Sequence, residues 1–144
     1  MKESTFIEIA KVISKESKCV SLQVGAVIVK DNRIISMGYN GTVSGSLNCN
    51  ECIGKEFERN NHSEWSDSHE IHAEMNALMF AAKNGLSVNE CTLYCTHEPC
   101  DQCLKNIIQS GIKRIVYVIP YKKERCKSKY RFDGSIKIEQ FIEK

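Results

Sequence analysis

Several things are scarce in this sequence, and each scarcity removes a class of protein. With 2 prolines and 8 glycines in 144 residues, the chain is neither collagen-like nor low-complexity. Internal repeats are absent from it, which argues against a solenoid or propeller. None of its apolar stretches approaches the roughly 20 residues needed to cross a bilayer. The start, MKESTFIEIA, has neither an apolar core nor a cleavage-site pattern, so a cytoplasmic protein is expected. An excess of one charge is also missing. Lys and Arg number 20 against 18 Asp and Glu, a formal +2, too little to make DNA or RNA the main partner.

Cysteine, by contrast, is plentiful: there are 8. In a reducing compartment such a chain is expected to bind metal or do redox chemistry rather than form disulfides. The length suits one domain spanning 1–144, able to bury roughly two-thirds of its unfolded surface.

Hydrophobic spacing sets the expected order of elements. Phe6, Ile9, Val12 and Ile13 predict an amphipathic helix over 4–16. VGAVIV (24–29) and RIISMGY (33–39) predict two strands joined at Asp31-Asn32 as an antiparallel hairpin. Residues 40–68, rich in Gly, Ser, Asn and charge, predict a long functional loop. A helix follows, ending near Asn84-Gly85, with Ile71, Met75, Leu78 and Met79 expected on its buried face. CTLYCTH (91–97) reads as a strand, CDQCLKNIIQS (100–110) as a helix stopped by Gly111, and RIVYVI (114–119) as a strand. The basic tail 121–144 leaves a strand or a helix open at 136–143. Helices alternating with short apolar strands predict an α/β protein with a partly parallel sheet.

The chemistry concentrates at two expected helix starts. In Pro99-Cys100-Asp101-Gln102-Cys103 the two sulfurs, at i and i+3, can reach one ion, and a helix N-terminus favours thiolates. His72 and Glu74 lie two residues apart. Inside a helix they would point to different sides, so they address one centre only from its first turn. His72, Cys100 and Cys103 make three zinc ligands with a fourth position open for water, and Glu74 becomes a proton carrier. A closed structural zinc site is the duller alternative, with Cys95 or His97 as fourth ligand and Glu74 a mere helix-start carboxylate. H-x-E followed by P-C-x-x-C is the known signature of zinc nucleobase deaminases.

GYNG (38–41), HSEW (62–65), HAEMNA (72–77), CDQC (100–103) and SGIKRIVY (110–117) together resemble the deoxycytidylate (dCMP) deaminases, the bacteriophage type in particular, over residues 1 to about 121. Nucleoside cytidine deaminases place Cys where this chain has His72. The resemblance implies a three-layer α/β/α sandwich with a mixed, about five-stranded sheet, commonly assembled as hexamers. It implies zinc-dependent hydrolysis of dCMP to dUMP and ammonia, feeding thymidylate synthesis, with dCTP as activator and dTTP as inhibitor.

It further implies a second, structural zinc on Cys19, Cys49, His62 and Glu70, with Cys52 and His69 as nearby substitutes. Substrate contacts are implied for Asn40, Ala73, Thr96, Pro99 and Tyr121. Effector contacts are implied for Gly38, Tyr39, Asn40, Gly41 and Lys83, with Mg²⁺ accompanying a bound triphosphate. Lys83 stands where the phage pattern has Arg, and a lysine lacks the planar fork of guanidinium. Phe80 and Lys83 otherwise read as core and solvated face. The run Lys122, Lys123, Arg125, Lys127, Lys129 and Arg131 reads as solvated surface, or as a source of the cation for a 5′-phosphate. Three rivals remain: a deaminase of dCTP, or of both nucleotides; a tRNA adenosine deaminase, which has no use for the Cys19, Cys49, His62 set; and a zinc-stabilised module without catalysis, which has no use for Glu74.

Overall fold

The computed structural model describes residues 1–19, 21–43, 70–120, 134 and 136–143. In chain order these form α1 (Glu3–Ser14), β1 (Gly25–Lys30), β2 (Arg33–Tyr39), β3 (Gly41–Thr42), β4 (Glu70–Ile71), α2 (Ala73–Lys83), β5 (Thr92–His97), α3 (Asp101–Gln109), β6 (Arg114–Ile119) and β7 (Lys137–Gln140). The main sheet has the order β2-β1-β5-β6-β7. β1 runs antiparallel to both β2 and β5, whereas β5, β6 and β7 are mutually parallel. The sheet is therefore mixed and five-stranded, and the segment open between helix and strand is the edge strand β7.

Each strand divides its apolar residues between two layers. Val27, Val29, Tyr94 and Val116 pack against Phe6, Ile7 and Ala10 of α1. Ala26, Ile28, Leu93, Cys95 and Ile115 pack against α2 and α3 through Ala77, Leu78, Ala81, Leu104 and Ile107. Helices thus cover both faces, as expected. Burying each large side chain contributes about 1.5–3 kcal/mol, so neither layer is dispensable.

The turns carry the chemistry that their residues allow. Asp31 (φ 49°) and Asn32 (φ 63°) are both left-handed, the geometry of a type I′ hairpin turn, which these two residue types tolerate. At the end of α2 the amide of Leu86 donates to Ala81 O at 2.8 Å, past Gly85 at φ 68°, a Schellman closure.

The buried face of α2 differs from the expected one. Ala73, Glu74, Ala77, Leu78 and Ala81 are buried, while Met79 is 52% and Phe80 50% exposed. Small residues face inward because the helix lies almost backbone to backbone on β2. A Cβ on Gly38 would stand 2.5 Å from Ala73 O and 2.6 Å from Ala77 N. Larger side chains on this face would hold the helix off the strand. On the opposite layer Gly25 is crowded in the same way by the Ala10 carbonyl of α1.

Candidate active site

β4 ends at Ile71 and β5 at His97, and each is followed within a few residues by a helix. The N-cap of α2 is His72 and that of α3 is Cys100, both with extended backbone and no side-chain bond to their own helix. Ser or Asp at these places would be spent on capping; His and Cys are left to turn toward one another. Pro99 lies one residue ahead of the cap rather than at the first helical position. Cys103, one turn into α3 on the same face, completes the group.

His72 Nδ1 lies 3.2 Å from Cys103 Sγ and 3.5 Å from Cys100 Sγ. All three donor atoms fall within 4.8 Å of one another. Tetrahedral zinc, with bonds of about 2.3 Å to sulfur and about 2.05 Å to nitrogen, separates such a pair by roughly 3.5 Å. The donor set and its spacing fit the ion. Among the described residues neither Cys95 nor His97 joins this group, so the three-ligand arrangement has the better support.

Both helices direct their N-termini here, and the positive ends of their dipoles favour anionic sulfur. The thiol of Cys103, bonded to Cys100, holds the Cys100 thiol far below its ordinary range. The same bond and burial push Cys103 up. The pair thus surrenders one proton readily and keeps the other, the one that a cation at the site displaces. Among the described residues every cysteine is a free thiol.

Glu74, the second residue of α2, is only 4% exposed. Burial raises its pKa, opposed by the neighbouring His72, and the Cys103 thiol reaches its carboxylate. A carboxyl group excluded from water and touching the metal ligands is placed to hold and pass protons.

Among the described residues the expected substrate contacts are all buried. Asn40 is buried; its Oδ1 accepts from the Val24 amide at 2.8 Å and its Nδ2 donates to Leu22 O at 2.8 Å. Ser17 Oγ donates to the Asn40 carbonyl at 2.8 Å. Thr96, Ala73 and Pro99 are also buried, Ala73 beside His72 and Pro99 beside Cys100. Asn76, which the motifs did not single out, donates to Tyr39 O at 2.7 Å and so ties the GYNG strand to α2. Its position one turn past His72 was the available signal.

Among the expected effector residues, Gly38 is a packing glycine under α2, Tyr39 is 43% exposed, and Lys83 is exposed at the far end of that helix. Gly41 pairs with Ile71, and Thr42 with Glu70, a two-rung ladder ending next to His72. Of the expected second-zinc ligands, Cys19 and Glu70 come together, Sγ to Oε1 3.7 Å. Cys49, Cys52, His62, His69, Tyr121 and the basic run 122–131 lie outside the described residues.

Comparison with known proteins agrees with this geometry. The family described as "Cytidine and deoxycytidylate deaminase zinc-binding region" matches residues 1–119. The chain belongs to that family. As a family member it is an enzyme, a hydrolytic deaminase. The deoxycytidylate deaminase of Enterobacteria phage T2 is 44% identical, over 87% of this deaminase and 84% of its relative. That of Enterobacteria phage T4 is also 44% identical, over 87% and 81%. The dCMP deaminase of the cyanophage S-TIM5, solved in complex with dCMP and dUMP, superposes with a TM-score of 0.80 at 31% identity, covering 98% of this chain and 99% of that one.

Proposed function

We propose that the protein hydrolyses dCMP to dUMP and ammonia. One observation carries the reading: His72, Cys100 and Cys103 converge beside the buried carboxyl of Glu74, in a chain similar along most of its length to phage deoxycytidylate deaminases.

His72, Cys100 and Cys103 would hold zinc. When bound there, the ion supplies Lewis acidity that makes water a nucleophile near neutral pH. Glu74 accepts a proton from the attacking water as the oxygen bonds to the ring carbon bearing the amino group. It passes that proton to the adjacent ring nitrogen, then carries another to the leaving amine. The carbon–nitrogen bond breaks, ammonia departs and a carbonyl remains. Asn40, Ala73, Thr96 and Pro99 form the wall against which the pyrimidine nucleotide lies, with Tyr121 as a further expected contact.

The second zinc, on Cys19, Cys49, His62 and Glu70, is supported by the approach of Cys19 to Glu70. Such an ion would tie the segment after α1 to the strand just before His72, and its binding energy would add to folding. Purified protein is expected to carry two zinc ions per chain. Cys19→Ser should lose one of them and lower Tm; a single ion in the unaltered protein would remove the second site.

Regulation by dCTP and dTTP, with Mg²⁺ accompanying the triphosphate, belongs to the same reading. Its support is the ladder by which Gly41–Thr42 joins Glu70–Ile71, so that an effector at GYNG and Lys83 could bias the segment holding His72. Assembly into hexamers is supported by Met79 and Phe80 standing exposed on α2, and the mass of the particle in solution tests it. The product dUMP suits a role in supplying thymidylate synthesis from the cytoplasm.

The decisive test is ammonia release from dCMP, dCTP, deoxycytidine and adenosine in a tRNA anticodon stem, each with and without dCTP or dTTP. Turnover of dCMP that dCTP raises and dTTP lowers is the expected result. Preference for dCTP would change the substrate, activity on RNA would move the protein to another branch, and no release from any of them would leave a zinc module.

A further inference from the structure

We propose that His97 recognises the 5′-phosphate of the substrate, donating its Nε2–H to a phosphate oxygen. The inference rests on the nucleotide-deaminase reading above and adds a residue that no motif marks. His97 ends β5, opposite Ile119 of the parallel strand β6. Ligands of open α/β sheets gather at the carboxyl ends of such strands.

The alternation along β5 puts it on the correct face. Leu93 and Cys95 belong to the core that contains Ala73, Cys100 and Cys103, whereas Tyr94 belongs to the opposite layer. The next residue in the period is His97. It contributes no atom to the metal group among the described residues, and it is half-buried beside Ile119, which is 49% exposed. His97 therefore stands at the rim. With the base in the depth beside Glu74, the rim is where a nucleotide carries its sugar and phosphate.

The hydrogen bonds around the ring accommodate a donor on its outer nitrogen. The amide of Gly25 donates to Thr96 Oγ1 at 3.2 Å, which leaves the hydroxyl hydrogen free for His97 Nδ1, 2.8 Å away. A hydroxyl donating to Nδ1 selects the tautomer with hydrogen on Nε2. Burial lowers the His97 pKa, in keeping with a neutral ring. In that tautomer the chain from amide to hydroxyl to imidazole polarises the Nε2–H, and phosphate oxygens are strong acceptors. The consecutive amides of Val24 and Gly25 position Asn40 and Thr96 respectively, so His97 shares one rigid support with the expected sugar and base contacts.

The test compares His97→Leu and His97→Gln with the unaltered enzyme on dCMP and deoxycytidine. Loss of one hydrogen bond to a charged group should lower the ratio of kcat/KM for dCMP over deoxycytidine about tenfold or more in His97→Leu, mostly through KM. His97→Gln, which restores an N–H at similar reach, should recover much of it. Equilibrium binding of dUMP against deoxyuridine gives the same comparison without turnover, and the ratio should fall in parallel. An unchanged ratio in both measurements overturns the proposal, as does an equal loss on both ligands, which would mean that His97 merely supports the strand. Failure of the underlying reading looks different: the unaltered enzyme would then release no ammonia from dCMP, or would not distinguish dCMP from deoxycytidine.

Discussion

Replacing Glu74 by Gln is expected to reduce kcat by about 10²–10⁴-fold, the range lost with a positioned proton carrier, while zinc content and fold survive. Glutamine keeps the shape of the side chain and its contacts in α2 but cannot carry the proton. Stability should not fall. In the metal-free protein burial disfavours ionisation of Glu74, and removing a charge from a desolvated place there relieves a cost. A variant that is inactive, zinc-loaded and no less stable than the original is the pattern of a group kept for chemistry at the expense of stability. The measurements are steady-state ammonia release, zinc analysis and thermal denaturation on one preparation. A kcat within tenfold of the unaltered enzyme would assign the proton transfers elsewhere.

Replacing Gly38 by Ala should be the most damaging single-methyl change near the site. The added Cβ would meet Ala73 O at 2.5 Å and Ala77 N at 2.6 Å. Both are backbone atoms, and no rotamer change relieves them. The helix must lift from β2, at a cost of about 3 kcal/mol or more, roughly a 10 °C loss in Tm for a chain of this size. Because Ala73 follows His72 and precedes Glu74, the shift reaches the groups proposed for catalysis. A displacement on the order of 1 Å there can lower activity about 100-fold. Gly41→Ala is the control: no atom of the described residues lies within 4 Å of its would-be Cβ, and Tm should stay within about a degree. Should Gly38→Ala keep its stability and lose only the response to dCTP and dTTP, the glycine would serve the effector and not the packing.

These two residues also mark what could be read from sequence and what could not. The convergence of His72, Glu74, Cys100 and Cys103 was readable because each part obeys a local rule: two sulfurs three apart share a helix face, and an acid two residues from a base can meet it only at a helix start. Four strands of the main sheet were readable from apolar runs such as VGAVIV and RIVYVI, while the edge strand β7 was left open between strand and helix. Gly38 has a property that its motif does not show. In sequence GYNG looks like a turn or a nucleotide contact, and only the packing of α2 reveals that the missing side chain also lets the helix approach β2. Likewise Met79 and Phe80 look like core by period, yet the inward face is built of alanines because the helix lies so near β2. The two-residue pair β3–β4 has no period to detect, since its register depends on residues distant in sequence. His97 was considered only as a zinc ligand, because its hydrogen bond to Thr96 depends on an amide of Gly25 in another strand.

The closeness of α1 and α2 to the sheet has a further consequence for how this sequence can evolve. At Gly25 and Gly38 backbone meets backbone, and hydrogen is the only side chain that fits. The third helix, α3, stands off by a layer of larger side chains, Leu104 and Ile107 among them, and such a layer can be repacked by compensating changes of volume. Drift thus has room on the helix that carries both cysteines and almost none on the one that carries the carboxylate. The proposed site can be reshaped from the sulfur side while Glu74 stays in place.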